Sequence, residues 1–112
     1  MKRHAWIIGV KKDMIDEYKR LHADVWPEVL DMIRQCNISN YSIYLRTLPD
    51  GNTYLFSYLE YTGEDFDVDM AKMAADPMTQ KWWDVCKPCQ EPLPDRDKDQ
   101  WWADMEEVFH CD

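Results

Sequence analysis

Glycine is scarce in this 112-residue chain, which has only three glycines, none of them clustered. Phosphate-binding glycine loops and the glycine-flanked serine of α/β-hydrolases are therefore excluded. Long apolar stretches are also missing, so no segment approaches the length of a transmembrane helix. The run Ala5–Val10 is too short for a signal-peptide core, and no small-residue cleavage site follows it. We therefore expect a cytoplasmic protein whose four cysteines are mostly reduced.

Basic residues are also few compared with acidic residues. The chain has 13 lysines and arginines against 22 aspartates and glutamates, which gives a net charge of −9 at pH 7. Nucleic acids and anionic membranes both require a basic surface on a protein partner, so we expect neither as a partner. A neutral or cationic small molecule is compatible with this charge.

Apolar and aromatic residues are plentiful, at 46% and 13% of the chain. This composition is typical of a folded globular protein. The length allows one hydrophobic core, so we predict a single domain over residues 1–112.

The hydrophobic periodicity and the turn residues predict the order of helices and strands. That order is β-α-β-β-α-β with each helical segment broken in two. It is the ferredoxin-like α+β arrangement, a four-stranded antiparallel sheet with helices on one face. The predicted segments are a strand at Arg3–Val10, a helix with its N-cap at Asp13, a helix at Pro27–Gln35, strands at Asn40–Leu48 and Thr53–Tyr61 around a Pro-Asp-Gly-Asn turn, helices at Asp65–Ala75 and Met78–Val85, a loop at Gln90–Asp99 and a last strand at Met105–Cys111.

The strand Thr53–Tyr61 indicates that both faces of the sheet are covered. An antiparallel sheet that faces water normally has one polar side, but neither side of this strand is polar. Helices can cover only one face, so a second copy of the chain, a ligand cavity or both should cover the other, and we predict a homodimer. The two alternating sets are Tyr54, Phe56, Tyr58 and Glu60, and Leu55, Ser57, Leu59 and Tyr61.

Tyr18 and His22 are the first candidates for chemistry. They are four residues apart, which makes their side chains neighbours on a helix. Imidazole titrates near neutral pH, so His22 is the best general acid/base candidate among the three histidines. The alternative is a structural histidine bonded to a backbone carbonyl, and spacing alone favours that alternative.

Two tryptophan pairs suggest a carbohydrate site. Adjacent helical residues diverge by about 100°, so one of Trp82 and Trp83 can pack in the core while the other lines a cavity. Aromatic faces stack on the C–H surface of sugars, and the indole N–H can donate to a hydroxyl. Two core or interface tryptophans are an equally good interpretation, and the same choice applies to Trp101 and Trp102.

Cys86 and Cys89 have the spacing of redox and zinc motifs. They follow a helical run, however, whereas a reactive thiol benefits from the N-terminal end of a helix dipole. A zinc site would need two more ligands nearby, and Cys36 and Cys111 are isolated in sequence. We therefore expect ordinary buried or loop cysteines.

Four segments together resemble the L-rhamnose mutarotase family: EYKRLHADVWPEV, NYSIYL, QKWWDV and MEEVFH. The resemblance implies a dimeric α+β barrel that interconverts the α and β anomers of free L-rhamnose without a metal or organic cofactor. The family's catalytic histidine corresponds to His22. Its sugar-binding positions correspond to Tyr18, Tyr41, Trp82 and Trp83. Between about Cys86 and Ala103 the chain departs from the family pattern, which leaves the identity of the sugar more open than the reaction type.

The implied reaction is acid/base opening and closure of the sugar ring. We assign proton donation to His22, and Tyr18 or Tyr41 would hold or relay the other proton. Such a histidine should work near its ordinary pKa, within the last turn of a helix that ends before Pro27. The alternatives are a mutarotase for L-fucose, a non-enzymatic binder of a sugar or other small molecule on the same fold, and an oxidoreductase of the related dimeric barrels.

Overall fold

A computed structural model describes all residues from Met1 to Asp112. Short 3-10 turns precede the first helix and follow the last one. None of the helices is long and apolar enough to cross a membrane. The strands and helices are β1 (Lys2–Val10), α1 (Ile15–Ala23), α2 (Pro27–Gln35), β2 (Ile38–Thr47), β3 (Thr53–Tyr61), α3 (Phe66–Ala75), α4 (Pro77–Cys86), β4 (Gln90–Glu91) and β5 (Ala103–Asp104).

The strands form one antiparallel sheet in the order β2-β3-β1, and β4 and β5 both pair with the free edge of β1. This topology confirms the expected ferredoxin-like arrangement. The turn between β2 and β3 is also as predicted, with Gly51 at a φ of 87°. A residue with a side chain is strained at that angle, which accounts for glycine at this position.

The fourth strand differs from the prediction. It is not at Met105–Cys111, because after Asp104 only the Met105 N–H continues the pairing, to the Ala5 carbonyl oxygen at 3.0 Å. The alternation of apolar residues suggested burial, but Val108 and Phe109 are 87% and 81% exposed, so apolar burial within one chain does not stabilise a strand there.

The predicted loop at Gln90–Asp99 is likewise wrong at its start, where β4 pairs with the end of β1. Gly9 permits this close approach, since a Cβ atom at Gly9 would lie 2.7 Å from the carbonyl oxygen of Glu91. The pairing joins residues about 80 positions apart in sequence, and no local pattern predicts it.

The predicted N-cap at Asp13 is also wrong, because Asp13 lies in the 3-10 turn Lys12–Met14 and α1 begins at Ile15.

The four helices cover one face of the sheet. Along β3 the residues facing the helices are all buried: Thr53, Leu55, Ser57, Leu59 and Tyr61. The alternate residues, including Phe56 and Tyr58, are only partly buried. One face of the sheet is therefore left without a covering layer in the single chain. We call this the open sheet face and define it by Ile7, Tyr44, Tyr54, Phe56 and Tyr58.

A bulge in β2 turns Tyr41 toward the helices. The pairing with β3 shifts by one residue between Ser39 and Ser42, and Asn40 has a positive φ of 49°. Because side chains alternate along a strand, the extra residue lets Ile38 and Ile43 face the same side although their numbers differ in parity. Tyr41 therefore shares the helix-covered side of the sheet.

Candidate functional site

Helix α1 places Tyr18 and His22 together, as their spacing predicts. Their rings stack with centroids 4.0 Å apart and an interplanar angle of 24°. Tyr18 is buried, with 4% of its surface exposed, and His22 is half-buried at the end of the helix. The helix ends at Ala23, so the expectation that His22 lies in the last turn before Pro27 is confirmed.

The hydrogen bond of His22 determines which ring nitrogen carries its proton. Nδ1 lies 2.9 Å from the backbone carbonyl oxygen of Tyr18. A carbonyl can only accept, so Nδ1 carries the hydrogen and the neutral ring has its lone pair on Nε2. This is the bond that the structural interpretation of His22 predicts, but it occupies only one of the two nitrogens.

The pKa of His22 differs from the ordinary value that the sequence led us to expect. Burial lowers the pKa of His22 below 6.5, and the backbone hydrogen bond to Tyr18 opposes this only in part. Desolvation penalises the charged imidazolium, which explains the direction. At neutral pH the ring is therefore predominantly neutral, with Nε2 available to accept a proton.

Trp82 contacts the imidazole ring of His22. The two rings meet edge to face with centroids 5.2 Å apart, and Trp82 in turn meets Trp26 at 5.2 Å. Trp26 lies between α1 and α2, just before Pro27, so the break between these helices brings it onto Trp82. Trp26 is not among the site residues predicted from the sequence, although its place directly before the helix-breaking Pro27 was a usable signal.

Trp83 diverges from Trp82, as adjacent helical residues must. It is half-buried and packs against the cluster that holds Cys36, Leu59 and Met73. It makes no ring contact with His22, whereas Trp82 does. Of the two tryptophans, Trp82 is therefore the one beside the histidine.

Tyr41 brings a second phenol to this region from the β2 bulge. The residue is 41% exposed, and burial of its phenol together with a smaller contribution from Cys86 raises the pKa of Tyr41 to about 12. Burial also raises the pKa of Tyr18, and proximity to Tyr41 adds to this rise. Both phenols therefore remain protonated at neutral pH and can act as hydrogen-bond donors.

The Cys-x-x-Cys thiols lie next to the site but are poor nucleophiles. Cys86 and Cys89 are buried and unpaired. Burial raises the pKa of Cys86 to about 12, and the neighbouring Cys89 contributes to the rise. Both thiols stay protonated, in keeping with the expected ordinary cysteines. The chain contains no group of three or more histidine, cysteine, aspartate or glutamate residues placed to hold a metal ion.

Gln90 is a buried neighbour of the site that the sequence did not reveal. It is 6% exposed, and its side-chain oxygen accepts a hydrogen bond from Trp101 Nε1 at 2.8 Å. Gln90 also lowers the pKa of Tyr18, against the larger raising effect of burial. Neither Gln90 nor its partner lies in a recognisable motif, and Gln90 falls where a loop was predicted.

A separate cleft of about 550 Å³ lies between β1 and the C-terminal tail. It is lined by residues such as Arg3, Tyr58 and Phe109 and includes none of the aromatic residues around His22. Tyr58 belongs both to this cleft and to the open sheet face.

The chain is similar to known proteins over nearly its whole length. The profile of the L-rhamnose mutarotase family matches residues 3–111. The chain is 36% identical to an L-rhamnose mutarotase of Oceanobacillus iheyensis over 113 residues. It is 34% identical to an L-rhamnose mutarotase of Bacillus subtilis over 112 residues. Each comparison covers 100% of this chain and 100% of the relative. The crystal structure of an L-rhamnose mutarotase from Formosa agariphila superposes with a TM-score of 0.75 at 24% identity, covering 100% of both chains. That likeness extends over the whole fold.

Proposed function

This chain belongs to the L-rhamnose mutarotase family and is an isomerase of the aldose 1-epimerase type, and on that premise we propose that it interconverts the α and β anomers of free L-rhamnose by acid/base chemistry at His22. The observation that carries the proposal is the state of His22. Its Nδ1–H is bound to the Tyr18 carbonyl oxygen at 2.9 Å, which leaves the Nε2 lone pair free on a ring that contacts the rings of Tyr18 and Trp82.

The lowered pKa of His22 sets the order of proton transfers in the proposal. Neutral Nε2 removes the proton of the anomeric hydroxyl while the bond between C1 and the ring oxygen breaks. The imidazolium then gives a proton to that ring oxygen, which yields the open aldehyde. One nitrogen can serve both oxygens in turn because both are bonded to C1. Rotation about C1–C2 and the reverse transfers produce the other anomer.

Tyr18 and Tyr41 act as hydrogen-bond donors to the sugar in this scheme. With the pKa of Tyr41 raised to about 12, transfer of its proton to a base is unfavourable at neutral pH. Donation without ionisation stabilises the charge that develops on the ring oxygen. Trp82, with Trp83 beyond it, provides the apolar surface for the methyl-bearing face of the sugar.

The scale of acid/base catalysis suits this reaction. A positioned acid or base contributes roughly 10²–10⁴-fold. Anomer exchange already proceeds unaided in water, so that acceleration is sufficient and no redox centre is needed.

We also propose that the protein works as a homodimer in the cytoplasm. The open sheet face supports the dimer, because Tyr44 is 67% exposed and Phe56 is only partly buried. The four unpaired cysteines support a reducing compartment.

Exchange NMR with a panel of free sugars tests the function. We expect anomer exchange of L-rhamnose well above the buffer rate, and weaker acceleration of L-fucose. Faster exchange of L-fucose would assign the enzyme to that sugar. Saturable binding without faster exchange would indicate a binder, and a chromophore in the absorbance spectrum of the purified protein would indicate an oxidoreductase.

A further inference from the structure

Trp26 and Trp82 form a ring contact beside His22 that the proposed chemistry does not use. The ring centroids of Trp26 and Trp82 lie 5.2 Å apart at an interplanar angle of 70°. Those of Trp82 and His22 also lie 5.2 Å apart, at an angle of 62°. The imidazole has ring contacts with Tyr18 and Trp82, whereas the Trp26 ring contacts Trp82. The Trp82 indole therefore connects Trp26 with His22.

The backbone fixes Trp26 at the start of α2. Trp26 has an extended ψ of 132°, as expected for a residue that precedes a proline. Its carbonyl oxygen accepts hydrogen bonds from the N–H of Val29 at 3.0 Å and from the N–H of Leu30 at 3.1 Å. These bonds begin the helix, so Trp26 is held in place with α2.

The same turn of α2 packs on the cluster that holds Trp82. Val29 is buried with Trp82 and Cys86 in one apolar cluster, and Trp26 packs against that cluster. Trp82 is 6% exposed, whereas Trp26 is half-buried. Trp26 therefore provides a ring anchored to α2, at the margin of the cluster, against which the Trp82 indole is packed.

The position of the Trp82 indole affects how much water reaches His22. Burial lowers the pKa of His22, the hydrogen bond to the Tyr18 carbonyl oxygen raises it, and no charged group contributes. An apolar ring in contact with the imidazole excludes water from that side, and desolvation penalises the imidazolium. The pKa of His22 therefore reports whether Trp82 stays in place.

We propose that Trp26 is a positioning residue, whose ring holds the Trp82 indole against His22 during anomer exchange. Aromatic rings prefer certain mutual arrangements because of their quadrupoles, so two edge-to-face contacts restrict the orientation of the indole between them. With Trp82 held in this way, one side of the imidazole stays shielded from water and the apolar surface for the sugar keeps its place. The proposal rests on the proposed function and deepens it.

An NMR titration of His22 tests the contact without relying on catalysis. Trp26→Leu removes the ring but keeps an apolar side chain, and we expect the pKa of His22 to rise toward 6.5 as water reaches the imidazole. Trp26→Phe keeps a smaller ring and should give a smaller rise, and it decides the question if Trp26→Leu does not fold. An unchanged pKa of His22 in the folded variants would overturn the proposal.

Val25→Ala is the matched control for this titration. Val25 directly precedes Trp26 and packs against the same cluster, but it has no aromatic ring. The substitution removes apolar volume without changing a ring contact, so it should leave the pKa of His22 at the wild-type value. A rise as large as that of Trp26→Leu would show that general packing, and not the Trp26 ring, holds Trp82.

A double-mutant cycle tests whether Trp26 acts through Trp82. In a Trp82→Phe background, where the indole is absent, Trp26→Leu should change the pKa of His22 much less than it does in the wild type. An equal rise in both backgrounds would show that Trp26 shields His22 without Trp82, and this result would also overturn the proposal.

Kinetics of L-rhamnose exchange test the effect on the reaction. Trp26→Leu should lower kcat/KM about 2- to 10-fold, the effect of one aromatic pair. Trp26→Phe should recover part of this loss, and Val25→Ala should match the wild type. Equal losses in Trp26→Leu and Trp26→Phe would contradict a role for the ring contact. If the wild type does not accelerate anomer exchange, the proposed function fails, while the titration still decides whether Trp26 positions Trp82.

Discussion

His22 Nδ1 lies 2.9 Å from the backbone carbonyl oxygen of Tyr18, one helical turn earlier in the chain. The helix itself therefore selects the tautomer of its own histidine, with the hydrogen on Nδ1 and the lone pair on Nε2. The stack on the Tyr18 ring and the edge-to-face contact with Trp82 hold the plane of the imidazole.

The first prediction concerns pH. Burial lowers the pKa of His22 below 6.5, so the neutral form that begins the reaction persists as the pH falls through that value. We expect the enzymatic rate to hold through pH 6.5 and to decline only at a lower pH. Exchange NMR over the acid range, with the buffer rate subtracted, measures this profile. A rate that rises as His22 becomes protonated would show that the imidazolium starts the reaction.

The second prediction distinguishes the two helical tryptophans. Trp82 contacts His22 and Trp83 does not, so Trp82→Phe should raise KM about 2- to 10-fold, the effect of an aromatic contact. Trp83→Phe makes the same chemical change one residue away and should alter KM less. A larger effect at Trp83 would place the sugar on the other side of α4.

The third prediction concerns the helix that carries Trp82. The Asp76 carboxylate accepts hydrogen bonds from the backbone N–H and the hydroxyl of Thr79, at 2.9 and 2.8 Å, and so caps α4. Asp76→Ala should lower the free energy of unfolding by about 1 kcal/mol, measured by urea denaturation. Asp84→Ala on the exposed face of the same helix is the control and should have little effect. Equal losses in the two variants would argue against the cap.

The fourth prediction concerns the open sheet face. We expect sedimentation velocity to show a dimer for the wild type and a monomer for Phe56→Glu, because a buried unpaired carboxylate is unfavourable. Val68→Glu changes an apolar residue that is 61% exposed on α3 and should leave the dimer intact. A monomeric wild type would contradict the proposed dimer through the open sheet face.

Local sequence patterns predicted much of the fold. Pro27 begins α2 where expected, and β3 occupies the predicted residues Thr53–Tyr61, because proline preference and strict alternation act within a few residues. The neighbouring rings of Tyr18 and His22 followed from helical spacing alone.

The remaining features depend on contacts between distant parts of the chain. Gln90 reaches the site because β4 pairs with the end of β1, and Tyr41 does so because of a one-residue bulge in β2. The tail after Asp104 has the alternation of a strand but no layer to cover it in one chain. Spacing could not show which nitrogen of His22 is free, since this depends on a hydrogen bond.

The central claim is that His22 carries the proton transfers of anomer exchange, and exchange NMR of L-rhamnose with His22→Ala tests it most directly. His110→Ala, in the exposed tail, is the matched control. We expect His22→Ala to lose roughly 10²–10⁴-fold in rate and to approach the buffer rate, while His110→Ala matches the wild type. Anomer exchange at the wild-type rate in a folded His22→Ala protein would contradict the claim.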